Sequence, residues 1–324
     1  MIIVLKDKKE NKELKDYLNI NKIKSERSIL NGKLVYSVNG KGIDREKIAN
    51  FEAVEKVLNI SSEAYKVNSN KDVIVNKINF SKDFNVIAGP CSVESYSQII
   101  KIAKNLKEKG IKILRAGAFK PRTSPYSFQG LGKEGLEILS RVKKETGLFL
   151  CCEILDKNLI DDYKDIDILQ VGARNMQNYD LLKALAKQNK PILLKRGMGS
   201  TVNEFLLSAE YLMQNGNKNI ILCERGIKTF ENGTRNTLDL SSVSQVKHFS
   251  SLPIIVDPSH AAGRYDLIES MSLAAVAAGA DGLLIEVHDK PSIAMSDGKQ
   301  SLKLDKFSSL LDKVNKLSKF MRKI

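Results

Sequence analysis

Tryptophan is absent from this chain, and only 6% of its 324 residues are aromatic. Proteins that hold single-stranded nucleic acid stack bases on aromatic side chains, so that class of partner is not expected. No apolar run approaches the roughly 20 residues that cross a bilayer, and no membrane association is expected. The opening Met1-Ile-Ile-Val-Leu5 meets charge at Lys6, too early for a signal peptide. The four cysteines, including the neighbours Cys151 and Cys152, lack the spacing of a disulfide framework. That usage reads as a reduced, cytoplasmic protein. No Walker A string occurs, so no P-loop site is expected. Arginine is scarce, 11 residues against 41 lysines.

The net charge of +14 is spread along the chain. Residues 1–68 carry 14 basic and 10 acidic side chains, and the remainder carries 38 and 28. With no basic arm or tail, the excess reads as solvated lysines on helix faces. The length suits one large domain and one small one. Residues 1–68 read as βαββαβ, the split βαβ or ferredoxin-like order. Strands are expected at Met1–Lys6, Lys22–Ile29, Lys33–Val38 and Glu63–Val67, with Asn31-Gly32 as the hairpin turn. Helices are expected at Asn11–Leu18 and from Asp44 through Leu58, where Ile48, Phe51, Val54 and Leu58 share one face. Residues 69–84 form a connecting stretch: Asn68–Lys71 is the linker, followed by a short hairpin or extra strand over Asp72–Phe80.

Across residues 85–324, apolar runs alternate with amphipathic helical patterns. The predicted strands are Asn85–Cys91, Ile111–Gly117, Leu148–Ile154, Asp167–Gly172, Pro191–Arg196, Asn219–Arg225, Pro253–Pro258 and Gly282–Val287. Helices open near Tyr96, Lys133, Lys157, Asn178, Thr201, Leu238 and Arg264, with a last one from about Leu304. Eight βα units predict a closed (β/α)8 TIM barrel of the α/β class, with its active site at the C-terminal ends of the strands.

Seven of the eleven arginines stand at or just beyond those strand ends: Arg115, Arg122, Arg174, Arg196, Arg225, Arg235 and Arg264. The guanidinium fork suits phosphate and carboxylate. The same ends carry Cys91, Lys120, Glu153, Lys195, His260, Glu286 and, in the last loop, Asp297. Unpaired charges inside a barrel cost several kcal/mol, so these groups belong at the open mouth among anions. Strand alternation puts Glu153 on the side of Cys151, Arg225 with Cys223, and Glu286 with His288. Cys91, His260, Glu286 and Asp297 end or follow strands 1, 7 and 8, which are neighbours in a closed barrel. One thiolate, one imidazole and two carboxylates suit a divalent ion such as Mn, Fe, Zn or Co. The stretch Gly117–Tyr126 uses two prolines to present Lys120, Arg122, Thr123 and Ser124, a phosphate clamp by composition. A metal-dependent enzyme acting on phosphorylated substrates is expected.

The motifs AGPCSVES (88–95), LRAGAFKPRTSPYSFQGLG (114–132), QVGARNMQN (170–178), LLKRGM (193–198), CERG (223–226), VDPSHAAGR (256–264), IEVH (285–288) and SDGKQSL (296–302) follow in order. In them the chain resembles the 3-deoxy-D-arabino-heptulosonate 7-phosphate (DAHP) synthases, the short barrel class with an N-terminal ferredoxin-like regulatory domain. The resemblance implies a transferase that condenses phosphoenolpyruvate with erythrose 4-phosphate, the first step of the shikimate pathway of aromatic amino acid biosynthesis. It implies metal ligands at Cys91, His260, Glu286 and Asp297. It implies phosphoenolpyruvate contacts at Arg115, Lys120, Glu153, Gly172, Ala173, Arg174, Lys195 and Arg225. Aldose-phosphate contacts fall on Lys120, Pro121, Arg122, Thr123 and Ser124. Lys120, Glu153, Lys195 and His260 are the expected catalytic residues. A homotetramer with tyrosine or phenylalanine as effector is also implied.

Three other readings compete. The related sugar-acid 8-phosphate synthase uses arabinose 5-phosphate and has an Asn-Arg-Ser type of loop where this chain has Lys120-Pro-Arg-Thr-Ser124. A Schiff-base aldolase would use Lys195 as nucleophile. A nucleic-acid or scaffold protein would use the +14 charge.

Overall fold

The computed structural model describes residues 1–30, 32–39, 43–58, 67, 72–122 and 124–322. Chain contacts divide it into two compact units, Met1–Tyr65 and Lys66–Ile324.

The first unit runs β1 (Ile2–Leu5), α1 (Lys12–Ile20), β2 (Lys24–Leu30), β3 (Lys33–Asn39), α2 (Arg45–Ala49) and β4 (Val54–Leu58). The sheet is antiparallel in the order β2-β3-β1-β4. Asn11 and Asp44 start the helices by accepting from the backbone of Leu14 and Lys47. Leu14, Leu18 and Ile48 of the helices bury themselves against Ile3, Leu5, Tyr36 and Val38 of the sheet. Each such apolar side chain contributes about 1.5–3 kcal/mol on leaving water.

The expected helix from Asp44 to Leu58 is corrected here: it ends after Ala49, and its second half is strand β4. The register explains the misreading. Val4 faces Lys56 but Leu5 faces Val54, so Glu55 is the extra residue of a bulge. The bulge brings Val54 and Val57 into the same buried cluster. A spacing of three within a strand then imitates a helical face. Of the expected strand Glu63–Val67 only Val67 is described, and it is not in a strand. Asn31, Asn68–Lys71 and Thr123 lie outside the described residues.

The second unit begins with the hairpin β5 (Ile74–Val75) and β6 (Ile78–Asn79). Eight parallel strands follow: β7 (Asn85–Gly89), β8 (Ile113–Arg115), β9 (Phe149–Glu153), β10 (Ile168–Val171), β11 (Ile192–Lys195), β12 (Ile220–Glu224), β13 (Ile254–Val256) and β14 (Gly282–Glu286). They form a closed barrel, sealed where β14 pairs with β7 from Gly282↔Asn85 to Glu286↔Gly89. Around it lie α3 (Tyr96–Glu108), α4 (Lys133–Thr146), α5 (Tyr179–Ala186), α6 (Val202–Gln214), α7 (Ser241–Phe249), α8 (Pro258–Ala262), α9 (Ile268–Ala277) and α10 (Leu304–Met321). In α3, Ser95 caps the first turn and Ile99, Ile102, Ala103 and Leu106 bury one face. In α6, Thr201 and Glu204 close a capping box.

Two elements differ from the pattern. Lys157–Tyr163 is a 3-10 helix where an α-helix was expected. The strand expected to reach Pro258 stops at Val256, because Asp257 caps α8 and Pro258 occupies its first turn. Among the described residues no helix is long and apolar enough to cross a membrane.

Candidate active site

β14 pairs with β7, so the end of one delivers Glu286 beside Cys91, which follows the other. Asp297 reaches the same spot from the loop before α10, in the left-handed region at φ 50°. Ligand atoms of Cys91, Glu286 and Asp297 lie within 4.8 Å of one another. Cys91 Sγ is 3.2 Å from Asp297 Oδ2, and His260 Nε2 is 3.4 Å from Glu286 Oε1. The chain thus gathers three of the four candidates tightly, with His260 adjoining through Glu286.

Asp257 fixes the imidazole. Its Oδ1 accepts from the His260 backbone at 2.9 Å, and its Oδ2 lies 2.7 Å from His260 Nδ1. Nδ1 therefore carries the proton, and the Nε2 lone pair faces the carboxylates. Burial pushes the His260 pKa below its ordinary value, so the ring is neutral near pH 7. Burial, with Glu286 nearby, pushes the Cys91 thiol up to about 11. Burial opposes ionisation of Asp297, but His260 and Arg235 outweigh it and hold the carboxyl at about 2. A neutral imidazole, two carboxylates and a thiol that releases its proton to solvent on binding a metal form a donor set that fits a divalent cation.

The carboxylates are held from behind. Arg115 donates to Glu286 Oε1 at 2.6 Å, and Gln300 donates to Glu286 Oε2 at 2.7 Å. Arg235 donates to Asp297 Oδ1 at 3.2 Å and to Gln300 at 3.1 Å.

Beside this arc opens a cavity of about 550 Å³, and seven cations line it: Lys120, Arg122, Arg174, Lys195, Arg225, Lys228 and Arg235. Among the described residues of that lining, Glu153 and Asp297 are the acidic groups that oppose them. Such an excess concentrates small anions. Pro121, Ser124, Gly172 and Ala173 also line it. At Gly172 an added Cβ would stand 1.9 Å from Glu153 Oε1, so any side chain there would displace the Glu153 carboxylate. Lys120 is buried and donates to the Cys91 carbonyl at 3.1 Å. Burial works against its charge, but Cys91 and Glu153 outweigh it and raise the pKa above the usual lysine value. Lys195 forms a buried ion pair with Asp257 at 2.5 Å.

The seven strand-end arginines divide. Arg122, Arg174, Arg225 and Arg235 line the cavity. Arg115 lies behind Glu286, 3% exposed, and its buried Nε has no partner among the described residues. Arg196 turns onto Glu224 and Asp239, and Arg264 pairs with Asp266 at the surface. His288 does not join Glu286 as alternation suggested. It sits 2.9 Å from Gln98 and 3.5 Å from Glu94. Sequence reasoning missed Asp257, Lys228, Asn236 and Gln300. Asp257 had a signal, a capping residue before proline; the others had none.

The sequence pattern of the DAHP synthetase I family matches residues 64–323. A phospho-2-dehydro-3-deoxyheptonate aldolase of Thermotoga maritima is 52% identical over 236 residues, covering 72% of this chain and 70% of that protein. A 2-dehydro-3-deoxyphosphooctonate aldolase of Syntrophobacter fumaroxidans is 31% identical over 258 residues, covering 74% and 88%. Among solved structures, the crystal structure of the Thermotoga maritima phospho-2-dehydro-3-deoxyheptonate aldolase (DAHP synthase) superposes with a TM-score of 0.78. It is 41% identical, and the match covers 99% of this chain and 97% of that one. A truncated form of the 3-deoxy-D-arabino-heptulosonate 7-phosphate synthase from Thermotoga maritima gives a TM-score of 0.72 at 44% identity, covering 78% and 93%.

Proposed function

This chain belongs to the DAHP synthetase I family, and from that premise we propose the chemistry of its barrel mouth. The activity is that of a DAHP synthase: phosphoenolpyruvate and erythrose 4-phosphate give DAHP and inorganic phosphate. The observation that carries it is the seven-cation cavity opening onto the Cys91, His260, Glu286 and Asp297 arc. Arg174, Lys195 and Arg225 grip the phosphate and carboxylate of phosphoenolpyruvate, and Arg115, paired with Glu286, completes that set of cations. Lys120, Pro121, Arg122, Thr123 and Ser124 take the aldose phosphate.

Carbon 3 of phosphoenolpyruvate bonds to the aldehyde carbon, and the aldehyde oxygen takes a proton from the Lys120 ammonium. Water adds at carbon 2, with Glu153 orienting it and receiving a proton. The carbon 2–oxygen bond to phosphate then breaks as the carbon 2 hydroxyl gives its proton to the Lys120 amine, leaving the ketone and free phosphate. Cys91, His260, Glu286 and Asp297 would hold a divalent cation (Mn, Fe, Zn or Co), which when bound would supply Lewis-acid polarisation of the carbonyl oxygen.

The arabinose 5-phosphate alternative has weaker support, since the Syntrophobacter relative is 31% identical against 52% for the Thermotoga one. The Schiff-base alternative needs a free amine, whereas Lys195 is engaged by Asp257. The test is phosphate release with both substrates, before and after chelator treatment. No release with any added divalent metal overturns the proposal. Replacing Arg122 with alanine is expected to raise KM for erythrose 4-phosphate about tenfold or more, and KM for phosphoenolpyruvate much less. An effect confined to phosphoenolpyruvate would reassign the clamp.

The first unit, Met1–Tyr65, is a compact fold of its own, with a four-stranded antiparallel sheet and two helices. In this reading it is the regulatory domain of a cytoplasmic homotetramer, with tyrosine or phenylalanine as effector. A chain beginning at Lys66 is expected to keep activity and lose inhibition by either amino acid. The cut belongs there, not at Lys71. Val67 is buried, its N–H reaches Glu210 at 3.1 Å, and its carbonyl accepts from Ser250 at 2.7 Å. A full-length enzyme indifferent to millimolar tyrosine and phenylalanine would end the regulatory claim alone.

A further inference from the structure

Lys195 and Arg196 are adjacent, yet only Lys195 lines the cavity. Strand alternation turns Arg196 the other way, where it is 5% exposed. There its Nη1 donates to Glu224 Oε2 at 2.9 Å and to Asp239 Oδ2 at 2.7 Å, and its Nε donates to the Ser200 carbonyl at 2.9 Å. Glu224 and Asp239 bracket the long loop 225–240. Glu224 Oε1 also accepts from Gly226 N at 2.6 Å, which sets the first turn of that loop. Ser242 Oγ donates to Glu224 at 3.1 Å, which adds the start of α7 to the same knot. The loop is a narrow hairpin whose Ile227 and Thr237 exchange backbone bonds at 2.9 Å. Its return arm carries Arg235, which reaches Asp297.

We infer that Arg196 is a positioning residue: it clamps both ends of loop 225–240 and thereby sets where Arg235 stands beside Asp297. This rests on the reaction proposed above. The fork geometry is what matters. A lysine keeps the charge but has no planar fork to hold two carboxylates and a carbonyl at once. The loop then loses one of its two anchored ends, and a displacement of about 1 Å at a reacting centre costs on the order of 100-fold in rate.

The experiment compares Arg196→Lys, Arg235→Ala and the double variant in full-length, metal-supplemented protein. Phosphate release and amide hydrogen exchange are both read. Arg196→Lys is expected to lose on the order of 10- to 100-fold in kcat/KM, and the double variant no more than Arg235→Ala alone. The amides of Ile227 and Thr237 should exchange faster while those of β7 and β14 stay protected. Losses that multiply, or unchanged exchange at Ile227 and Thr237, overturn the inference. Should Arg196→Lys fail to fold, Asp239→Asn cuts one arm only and is judged by the same outcomes. Should the unaltered enzyme release no phosphate, the proposed reaction fails, and the exchange data alone decide whether the clamp exists.

Discussion

Replacing Cys91 with serine is expected to lower activity by about 100-fold or more while the barrel stays folded. The hydroxyl is nearly the same size, so the buried site suffers little in packing. What changes is the donor, because a neutral hydroxyl is a poor ligand for soft and borderline divalent metals. Proton linkage separates this from a packing defect. Since burial pushes the Cys91 thiol up to about 11, it is protonated near pH 7. A metal that takes the thiolate must then release that proton. Apparent affinity should therefore rise about tenfold per pH unit through the neutral range, after correction for metal hydrolysis. The Cys91→Ser variant should lose that slope along with the affinity. Calorimetric titrations in buffers of different ionisation enthalpy measure the released proton directly. An unchanged proton count in the variant would remove Cys91 from the ligand set.

A loss of comparable size, about 100- to 1000-fold, is expected from Asp257→Asn, although this residue does not line the cavity. Asp257 Oδ2 faces two donors, His260 Nδ1 at 2.7 Å and Lys195 Nζ at 2.5 Å. Oδ1 faces a third, the His260 backbone N–H at 2.9 Å. An asparagine has one oxygen to offer. With its NH₂ in the Oδ2 position, His260 must take its proton on Nε2, and Lys195 meets a donor. With the amide flipped, α8 loses its cap. Both arrangements damage the site, and the first removes the Nε2 lone pair that a metal needs. Nitrogen-15 shifts of the His260 ring report the tautomer, and a metal titration reports the affinity. Wild-type affinity with an unchanged tautomer would sink this account.

Much of the site was legible because its signals are local. Arginine and lysine cannot sit unpaired inside a barrel, so Arg122, Arg174, Lys195 and Arg225 at strand ends pointed to a mouth filled with anions. Strand order alone set Cys91 near Glu286, since the first and last strands of a closed barrel are neighbours. The fold was legible for the same reason: eight apolar runs separated by amphipathic helices leave few ways to bury both patterns.

Local pattern failed where geometry changes the period or the partner. The bulge at Glu55 reverses the in-and-out order of β4, so Val54 and Val57 mimic a helix until the strand is seen beside β1. His288 leaves the side of Glu286 because regular strand ends at Glu286, and beyond it the ring meets Gln98. Arg196 and Arg225 are the same residue type in the same kind of position. One turns onto Glu224 and Asp239, and the other lines the cavity. By itself the sequence determined the barrel, the charge of its mouth and the types of donor there, because these follow from periodicity and from the cost of burying charge. Only the tertiary structure decided which cations line the cavity and which hold the frame. That choice depends on carboxylates such as Asp257, Asp239 and Glu286, which lie far from their partners along the chain and meet them only once the barrel closes.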